Sequence, residues 1–341
     1  MHRPLEEKQQ LVSVLMPAYN AAPYIERALD SILGQSYRNL EVLVCDDGSD
    51  DRTYMILREY RDDRIRLLRN ERNLGKVLTF NRLLQASRGS FLAQQDADDY
   101  SAPQRLQRQI EFLQGNPHID LASCDGVVID ENGSVKRPWT AGPLPLDHCE
   151  TLLSKGCLPN LMPSIVFRKE IIDQVGGYPE NFTKLHCYGE DSFWVASMLD
   201  QGFRLANLAE PLYFYREASG SLCSPNLHLR FQDYRKLFAG EILGQLFQMK
   251  YSQGLDLTLP ANNERLESFL AEFQRSQREN PTIFLERFLH RRFQGNARQA
   301  ALYCLQQLVQ GAPDRRLVLM GFLFYCRRWL QAQARRLFPQ R

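Results

Sequence analysis

The most informative stretch of this chain is Phe91-Leu92-Ala93-Gln94-Gln95-Asp96-Ala97-Asp98-Asp99-Tyr100-Ser101-Ala102-Pro103. A short apolar run predicts a strand over 90–93, and three carboxylates follow before a helical pattern that starts near Pro103. In an open α/β sheet the carboxyl ends of the strands line the ligand crevice. Carboxylates this close repel one another unless a cation neutralises them. The stretch therefore predicts a site for a hard divalent metal that bridges to phosphate oxygens.

A second interpretation of the same residues is purely structural. Asp99 and Ser101 would cap the helix that starts near Pro103, and Asp96 and Asp98 would lie in a solvated turn. Acidic turns are common on protein surfaces, so this stretch alone does not decide between the two interpretations.

Strand and helix patterns alternate upstream of this stretch. Apolar runs predict strands over 11–16, 40–45, 65–68 and 90–93, and one-sided apolar periodicity predicts helices over 21–35, 52–60 and from 76 to near 89. Such alternation is typical of right-handed βαβ crossovers. We therefore predict an α/β, Rossmann-like and mostly parallel sheet flanked by helices, followed by an α-helical C-terminal region.

Polar motifs follow each of the four predicted strands, so they are expected to meet at one sheet edge and to form a single nucleotide-sized site. No G-x-G-x-x-G follows the first strand and no G-x-x-x-x-G-K-[ST] occurs, which argues against dinucleotide redox chemistry and P-loop phosphoryl transfer. Phosphates would be held by a metal instead of a glycine cradle. The motifs are Tyr19-Asn20, Asp46-Asp47, Asn73 to Lys76 and Asp96 to Asp99.

Charge is distributed unevenly along the 341 residues, although the net charge is only +2. Residues 1–220 carry 24 Lys/Arg against 31 Asp/Glu, and residues 221–341 carry 18 against 9. A basic C-terminal region suggests an anionic partner. We expect lipid headgroups and no nucleic acid, because basic and aromatic residues do not alternate along a defined face.

The eight cysteines include no C-x-x-C pair, which favours buried, reduced thiols in a cytoplasmic protein. No apolar signal core follows Met1, and no apolar run reaches the roughly 18 residues that span a bilayer.

The ordered motifs resemble the family 2 inverting glycosyltransferases with the GT-A fold. The resemblance covers roughly residues 11–220 and implies a catalytic domain over 1–222, with a nucleotide-sugar-binding half (11–103) and an acceptor half (104–222), before a helical region over 223–341. The first half carries Val14 to Asn20, Asp46 to Ser49, Asn73 to Gly75 and Asp96 to Asp99. The second half carries Met162 to Arg168, Gly176 to Tyr178, Gly189 to Asp191 and Tyr215-Arg216.

The resemblance implies a nucleotide-diphosphate sugar, expected to be a UDP-sugar, as donor and a saccharide or lipid-linked hydroxyl as acceptor. Asp98, assisted by Asp96, would hold Mg²⁺ or Mn²⁺ against the diphosphate. Asp47 would accept a hydrogen bond from the base, and Tyr19 would stack on it or flank it. The expected nucleotide-binding residues are Pro17, Ala18, Tyr19, Asn20, Asp46, Asp47, Asn73, Gly75, Lys76, Asp96 and Ala97.

Transfer also requires a base that removes the acceptor proton. The matching motif implies Asp191 as that base, with Glu190 as its neighbour. The alternative is that both are first-turn carboxylates favoured by the helix dipole. Asp99, Trp194 and Arg216 are expected on the diphosphate or acceptor side of the site.

Departures from the family pattern keep other functions open. Many relatives have a histidine where Met162 stands and another shortly after the Tyr-Arg pair, where this chain has Glu217-Ala218-Ser219. A catalytically silent protein that binds sugar nucleotides therefore remains an alternative. A nucleotidyltransferase that makes the activated sugar is a further one, although no glycine-rich basic loop follows the first strand.

The last segment, residues 315–341, has an apolar, aromatic-rich run bracketed by arginine pairs. Its ten apolar residues extend only about 15 Å as a helix, too short to span a bilayer. It would either lie on the anionic inner face of a membrane or pack on the catalytic domain or on a second subunit of a homodimer.

Overall fold

The structure is a computed structural model of the 341-residue chain. It describes residues 9–141, 145–146, 162–185, 190–217 and 253–279, together with 242, 245–246 and 248–250. The sequence pattern also predicts helices over 282–294, 297–310 and 315–338, which lie outside these residues.

The first half of the fold is the predicted alternation of strands and helices. Its elements are β1 (Val12–Ala18), α1 (Ile25–Leu33), β2 (Leu40–Asp46), α2 (Thr53–Glu59), β3 (Ile65–Arg69), α3 (Lys76–Ala86) and β4 (Phe91–Gln94). The four strands pair in parallel in the order β3-β2-β1-β4. All seven residues of β2 are buried, as expected for a parallel strand covered on both faces. The strand ends predicted to share one edge therefore do so.

The second half continues the same sheet with mixed pairing. Its first elements are β5 (Tyr100–Ser101), α4 (Arg105–Gly115), β6 (Leu121–Ile129), β7 (Val135–Trp139) and β8 (Pro145–Leu146). They are followed by β9 (Val166–Arg168), α5 (Glu170–Val175), α6 (Phe182–Leu185), α7 (Glu190–Asp200) and β10 (Leu205–Arg216). The strand order is β3-β2-β1-β4-β9-β6-β10-β5, with β7 on β6 and β8 on β10. Strand β9 is antiparallel to both β4 and β6, whereas β10 is parallel to β6.

Two apolar cores contain residues from alternate positions of the same strands. Val14 and Val42 belong to the core that includes α1, whereas Leu15 and Leu43 belong to the core that includes α3 and α7. This division follows from the two-residue period of strand side chains.

The described part of the C-terminal region contains α8 (Asn263–Glu279), within the segment predicted to be helical. Leu266 and Leu270 are fully buried in the same core as α7. The side-chain amide of Asn181 also donates to the carbonyls of Leu257 and Leu259, at 3.2 and 2.8 Å. This helix therefore packs on the sheet domain. No helix within the described ranges is both long and apolar enough to cross a membrane.

Candidate active site

The crevice begins where β1 and β2 end side by side. Ala18 pairs with Asp46, and the next backbone N–H, that of Asp47, donates to the Ala18 carbonyl at 2.8 Å. Asn20 adopts a left-handed conformation with φ of 49°. Its N–H donates to Ser49 Oγ at 3.0 Å and its Oδ1 accepts from the N–H of Asp50 at 3.1 Å. These bonds fix the turn after β1.

The residues expected to contact the nucleotide from β1 differ in exposure. The side chain of Tyr19 is 46% exposed and is free to meet a planar base. Ala18 is buried and Pro17 is half-buried, so they would contribute mainly backbone surface.

Asp46 and Asp47 are both buried, and their carboxylates act on the protein itself. Asp46 accepts from Arg69 Nε at 3.2 Å, and the Arg69 guanidinium lies 3.9 Å from the centre of the Tyr54 ring. The Asp46 side chain has no exposed surface, so in this structure it lies within the sheet and not on the open crevice. The structural reason is that β2 extends one residue further than predicted, into the covered part of the sheet.

Asp47 organises the loop that precedes α3. Its Oδ1 accepts from Asn70 Nδ2 at 2.7 Å and from the N–H of Leu74 at 2.9 Å, and its Oδ2 accepts from the N–H of Gly75 at 2.9 Å. Gly75 has φ of 88°, a conformation that favours glycine. We call residues 73–75 the β3–α3 loop. Its shape depends on a carboxylate supplied by the residue that directly follows β2.

Lys76 is the first residue of α3 and faces the acidic turn. Its Nζ lies 3.3 Å from Asp96 Oδ2. Burial alone would lower the pKa of Lys76, but the negative charges of Asp96, Glu190 and Asp191 outweigh it and hold that pKa well above its usual value. Lys76 is thus the cation that connects the two halves of the site.

The acidic turn, residues 96–99, brings three carboxylates together at the end of β4. One oxygen from each of Asp96, Asp98 and Asp99 lies within 4.8 Å of the others. Burial and the nearby charge of Asp96 raise the pKa of Asp98 to about 6. Burial, with Asp98 and Asp96 adding to it, raises the pKa of Asp99 well above its usual value. The crowded carboxylates therefore favour a bound cation.

The capping interpretation of these residues is wrong. Helix α4 begins at Arg105, and its N-cap residue Gln104 makes no side-chain capping bond. Asp99 Oδ1 instead accepts from the N–H of Arg216 at 2.7 Å, and Ser101 Oγ donates to Gln95 Oε1 at 2.7 Å.

A buried polar layer below the acidic turn escaped prediction. Tyr213 Oη accepts from the N–H of Asp96 at 3.2 Å and from Gln95 Nε2 at 3.3 Å. Arg105 is fully buried, and both of its terminal nitrogens donate to the Gln94 carbonyl at 3.1 Å. In sequence Arg105 resembles a solvent-exposed position of an amphipathic helix, because charged residues are rarely buried.

Arg216, expected on the diphosphate or acceptor side, lies within the scaffold. It is 4% exposed, and its guanidinium donates to three backbone carbonyls, those of Asp98, Asp130 and Glu131. In this structure these acceptors and the face of Tyr24 surround the charged group, so it does not face an open crevice.

Trp194, also expected on the acceptor side, is a core residue in this structure. It is 2% exposed, and its Nε1 donates to the Gly176 carbonyl at 2.9 Å. Its ring makes edge contacts with Phe80, Phe167 and Tyr178, at centroid distances of 5.9, 5.3 and 4.8 Å. The sequence pattern of α7 could not separate a residue that faces the site from one that faces the core, because every residue from 192 to 199 is buried.

Glu190 and Asp191 lie in the first turn of α7, and the charge of Asp191 interacts with that of Asp96 in the acidic turn. Burial raises the pKa of Asp191, the charge of Lys76 lowers it and that of Asp96 raises it further. Asp191 Oδ1 accepts from the N–H of Ser192 at 2.6 Å. The first turn of α7 and the end of β4 therefore belong to one charged cluster, as expected if they face the same ligand.

The mixed sheet, with an acidic turn at the carboxyl ends of its parallel strands, defines a GT-A-type glycosyltransferase domain. Crystal structures of S. aureus TarS share this fold. The structure in complex with UDP-GlcNAc aligns with a TM-score of 0.58 at 18% identity, over 95% of this chain and 92% of that one.

The chain belongs to glycosyltransferase family 2. The family model "Glycosyl transferase family 2" matches residues 13–176. EpsE of Bacillus subtilis, also named as a glycosyltransferase, is 34% identical over 211 residues, which cover 61% of this chain and 73% of EpsE. The Escherichia coli protein WfgD, named as a UDP-Glc:alpha-D-GlcNAc-diphosphoundecaprenol beta-1,3-glucosyltransferase, is 30% identical over 63% of this chain and 80% of WfgD.

Proposed function

We propose that this enzyme transfers a sugar from a UDP-sugar, with inversion at the anomeric carbon, to a hydroxyl of a saccharide or lipid-linked acceptor in polysaccharide or glycoconjugate synthesis. The carrying observation is the convergence of Asp96, Asp98 and Asp99 at the edge where β1, β2 and β4 end. The donor class is supported by the name of WfgD and by the UDP-GlcNAc complex of TarS. The lipid-linked acceptor is supported by the name of WfgD and the polymer by that of TuaG, a teichuronic acid biosynthesis protein of Bacillus subtilis.

A divalent cation, Mg²⁺ or Mn²⁺, fits the acidic turn. The donor set consists of carboxylate oxygens, which hard cations prefer, and the pKa of Asp98 is raised by its burial and, second, by the nearby charge of Asp96. Asp98 and Asp96 would hold the ion. When bound, it would neutralise charge on the departing diphosphate.

The protein's own residues would bind and orient the donor around that ion. Tyr19 offers an exposed ring for the base, and the β3–α3 loop held by Asp47 would contact the nucleotide as well. Asn73 Oδ1 accepts from the N–H of Gly75 at 2.9 Å, which stabilises the same loop. Lys76, whose Nζ lies 3.3 Å from Asp96 Oδ2, would neutralise diphosphate charge.

Asp191 is the proposed general base, with Glu190 beside it. Its position at the start of α7 places it in the same charged cluster as Lys76 and Asp96. Burial raises its pKa toward the range in which a carboxylate accepts a proton effectively. An inverting displacement needs one such base and no covalent nucleophile.

The test is a panel of UDP-sugars incubated with Mn²⁺, in which released UDP is measured by chromatography with and without chelator. Asp98→Ala should lose turnover, whereas Asp63→Ala should retain it, because Asp63 is an exposed carboxylate at the opposite edge of the sheet. Anomeric configuration of the product, read by NMR, tests inversion. Binding of UDP without turnover of any sugar in the panel would instead support a catalytically silent sugar-nucleotide-binding protein. Full activity in excess chelator would refute the requirement for a divalent cation.

We further propose that residues 315–341 hold the enzyme on the anionic inner face of a membrane; the alternatives are that they pack on the catalytic domain or form a subunit interface. Arginines that bracket an aromatic apolar segment each contribute roughly 1 kcal/mol near anionic headgroups. Deletion of 315–341 should abolish co-sedimentation with vesicles that contain phosphatidylglycerol. Equal binding by both proteins would exclude the membrane role, and a change of mass in light scattering would indicate the interface.

A further inference from the structure

Arg216 is held at the meeting point of three separate segments. Its Nε donates to the Asp98 carbonyl at 2.7 Å, and its Nη1 donates to the carbonyls of Asp130 and Glu131, both at 2.9 Å. The guanidinium carbon also lies 4.4 Å from the centre of the Tyr24 ring. The acidic turn, the β6–β7 connection and the segment before α1 are thus joined by one side chain.

The backbone of Arg216 fixes the same turn a second time. Its N–H donates to Asp99 Oδ1 at 2.7 Å, so the carboxylate of Asp99 and the carbonyl of Asp98 are both fixed by the end of β10. Among the described residues, the guanidinium donates to backbone carbonyls and to no carboxylate. Its role is therefore geometric as well as electrostatic.

This arrangement opposes the repulsion within the acidic turn. Three carboxylates with oxygens within 4.8 Å favour a rearrangement of the turn that would separate them. Rotation of the peptide that joins Asp98 to Asp99 would be one such rearrangement. The bond from Arg216 to the Asp98 carbonyl blocks it, because that rotation would break the bond.

We propose that Arg216 is a positioning residue that holds the acidic turn in its metal-binding shape before the metal arrives. The inference rests on the proposed function, in which the acidic turn binds Mn²⁺. The planar fork of arginine reaches several carbonyls at once, whereas the ammonium of lysine has neither that shape nor that reach. Removing the partners that orient metal ligands typically weakens metal binding by about 10- to 100-fold.

The experiment measures Mn²⁺ affinity directly, through the loss of the free-ion signal in electron paramagnetic resonance. It compares the wild-type full chain with Arg216→Lys, Arg216→Met and a matched control, Arg137→Met. Arg137 lies on β7, which pairs with β6 beside β10. Its half-exposed guanidinium bonds Glu217 at 2.6 Å, and Glu217 has a second partner in Lys136 at 2.7 Å. The control removes the same charge without altering the acidic turn.

We expect both Arg216 variants to raise the Kd for Mn²⁺ about 10- to 100-fold and Arg137→Met to leave it unchanged. The lysine variant separates geometry from charge, because it keeps the charge and loses the fork. A folded Arg216→Lys with the wild-type Kd overturns the inference while leaving the metal site intact. Absence of Mn²⁺ binding in the wild type overturns both proposals.

Circular dichroism identifies variants that fail to fold. If the Arg216 variants are among them, the Kd of Tyr24→Leu for Mn²⁺ tests the inference in their place. Tyr24 is half-buried, and its replacement removes the ring beneath the guanidinium while Arg216 remains. A Kd for Mn²⁺ raised above that of Arg137→Met supports the inference. A Kd equal to that of the control overturns it.

Discussion

Replacing Asp47 by alanine should destabilise the protein even when no nucleotide is bound. The carboxylate accepts three hydrogen bonds, from Asn70 Nδ2, the N–H of Leu74 and the N–H of Gly75. Bonds to a charged acceptor contribute about 1.5–3 kcal/mol each. The whole set would then amount to several kcal/mol.

Two features of the loop lower the expected loss in the free energy of unfolding. Gly75 has a second acceptor in Asn73 Oδ1, at 2.9 Å, and Leu74 is 37% exposed, so its N–H can turn to water. Asn70 is 4% exposed. Without the Asp47 carboxylate, one of the two hydrogens on its Nδ2 would lose its partner, and the other would stay bonded to Thr79 Oγ1 at 2.9 Å. We therefore expect a loss of about 2–4 kcal/mol in the free energy of unfolding.

Urea denaturation followed by tryptophan fluorescence measures this loss, with Asp50→Ala as the matched control. Asp50 follows the same strand, but its side chain is exposed. If Asp47→Ala unfolds at the wild-type urea concentration and only UDP binding is lost, Asp47 serves the base directly and the loop argument is refuted. A comparable loss in Asp50→Ala would show that any charge in this turn has the same effect.

Four further predictions concern the rest of the site and the core beside it. Asp98→Ala should abolish turnover and raise the Kd for Mn²⁺ while leaving the midpoint of unfolding close to that of the wild type, and chelator should reproduce the loss of turnover in the wild type. Asp191→Asn keeps the shape but cannot accept a proton, so the rate should fall by about 10²–10⁴ with UDP affinity preserved; near-normal transfer would move the base to Glu190. At saturating Mn²⁺ the wild-type rate should fall as the pH drops through the raised pKa of Asp191, because only the ionised form accepts a proton. Trp194→Ala should cost about 3–5 kcal/mol of stability, since it empties a buried site between Phe80 and Tyr178; a loss below 1 kcal/mol would contradict its placement in the core.

The first half of the fold was predictable because each strand is an apolar run and each helix carries one apolar face. Strand β2 and helix α3 lie within one or a few residues of their expected bounds. The meeting of strand ends follows from parallel pairing alone, so the acidic turn was also predictable as part of one crevice. The sequence interpretation failed where burial decides the role of a polar residue.

Arg216 and Arg105 illustrate the failure. An arginine beside a phosphate site suggests a phosphate ligand, but Arg216 bonds carbonyls from the acidic turn and the β6–β7 connection, which are far apart in sequence. Arg105 lies in an amphipathic helix, and only the tertiary structure shows that its guanidinium donates to the Gln94 carbonyl. Interactions of this kind have no local signal, because their partners are brought together only by folding.

The position of β10 has a practical consequence for anyone preparing fragments of this protein. The match to the family model ends at residue 176, but β10 begins at Leu205 and lies between β6 and β5 inside the sheet. A fragment trimmed at residue 176 would leave β6 with an unpaired edge, a surface that invites association between chains. Such a fragment would also lack Tyr213 and Arg216, whose bonds reach the acidic turn. The end of the family-model match is therefore a poor guide to where an expression fragment can be cut.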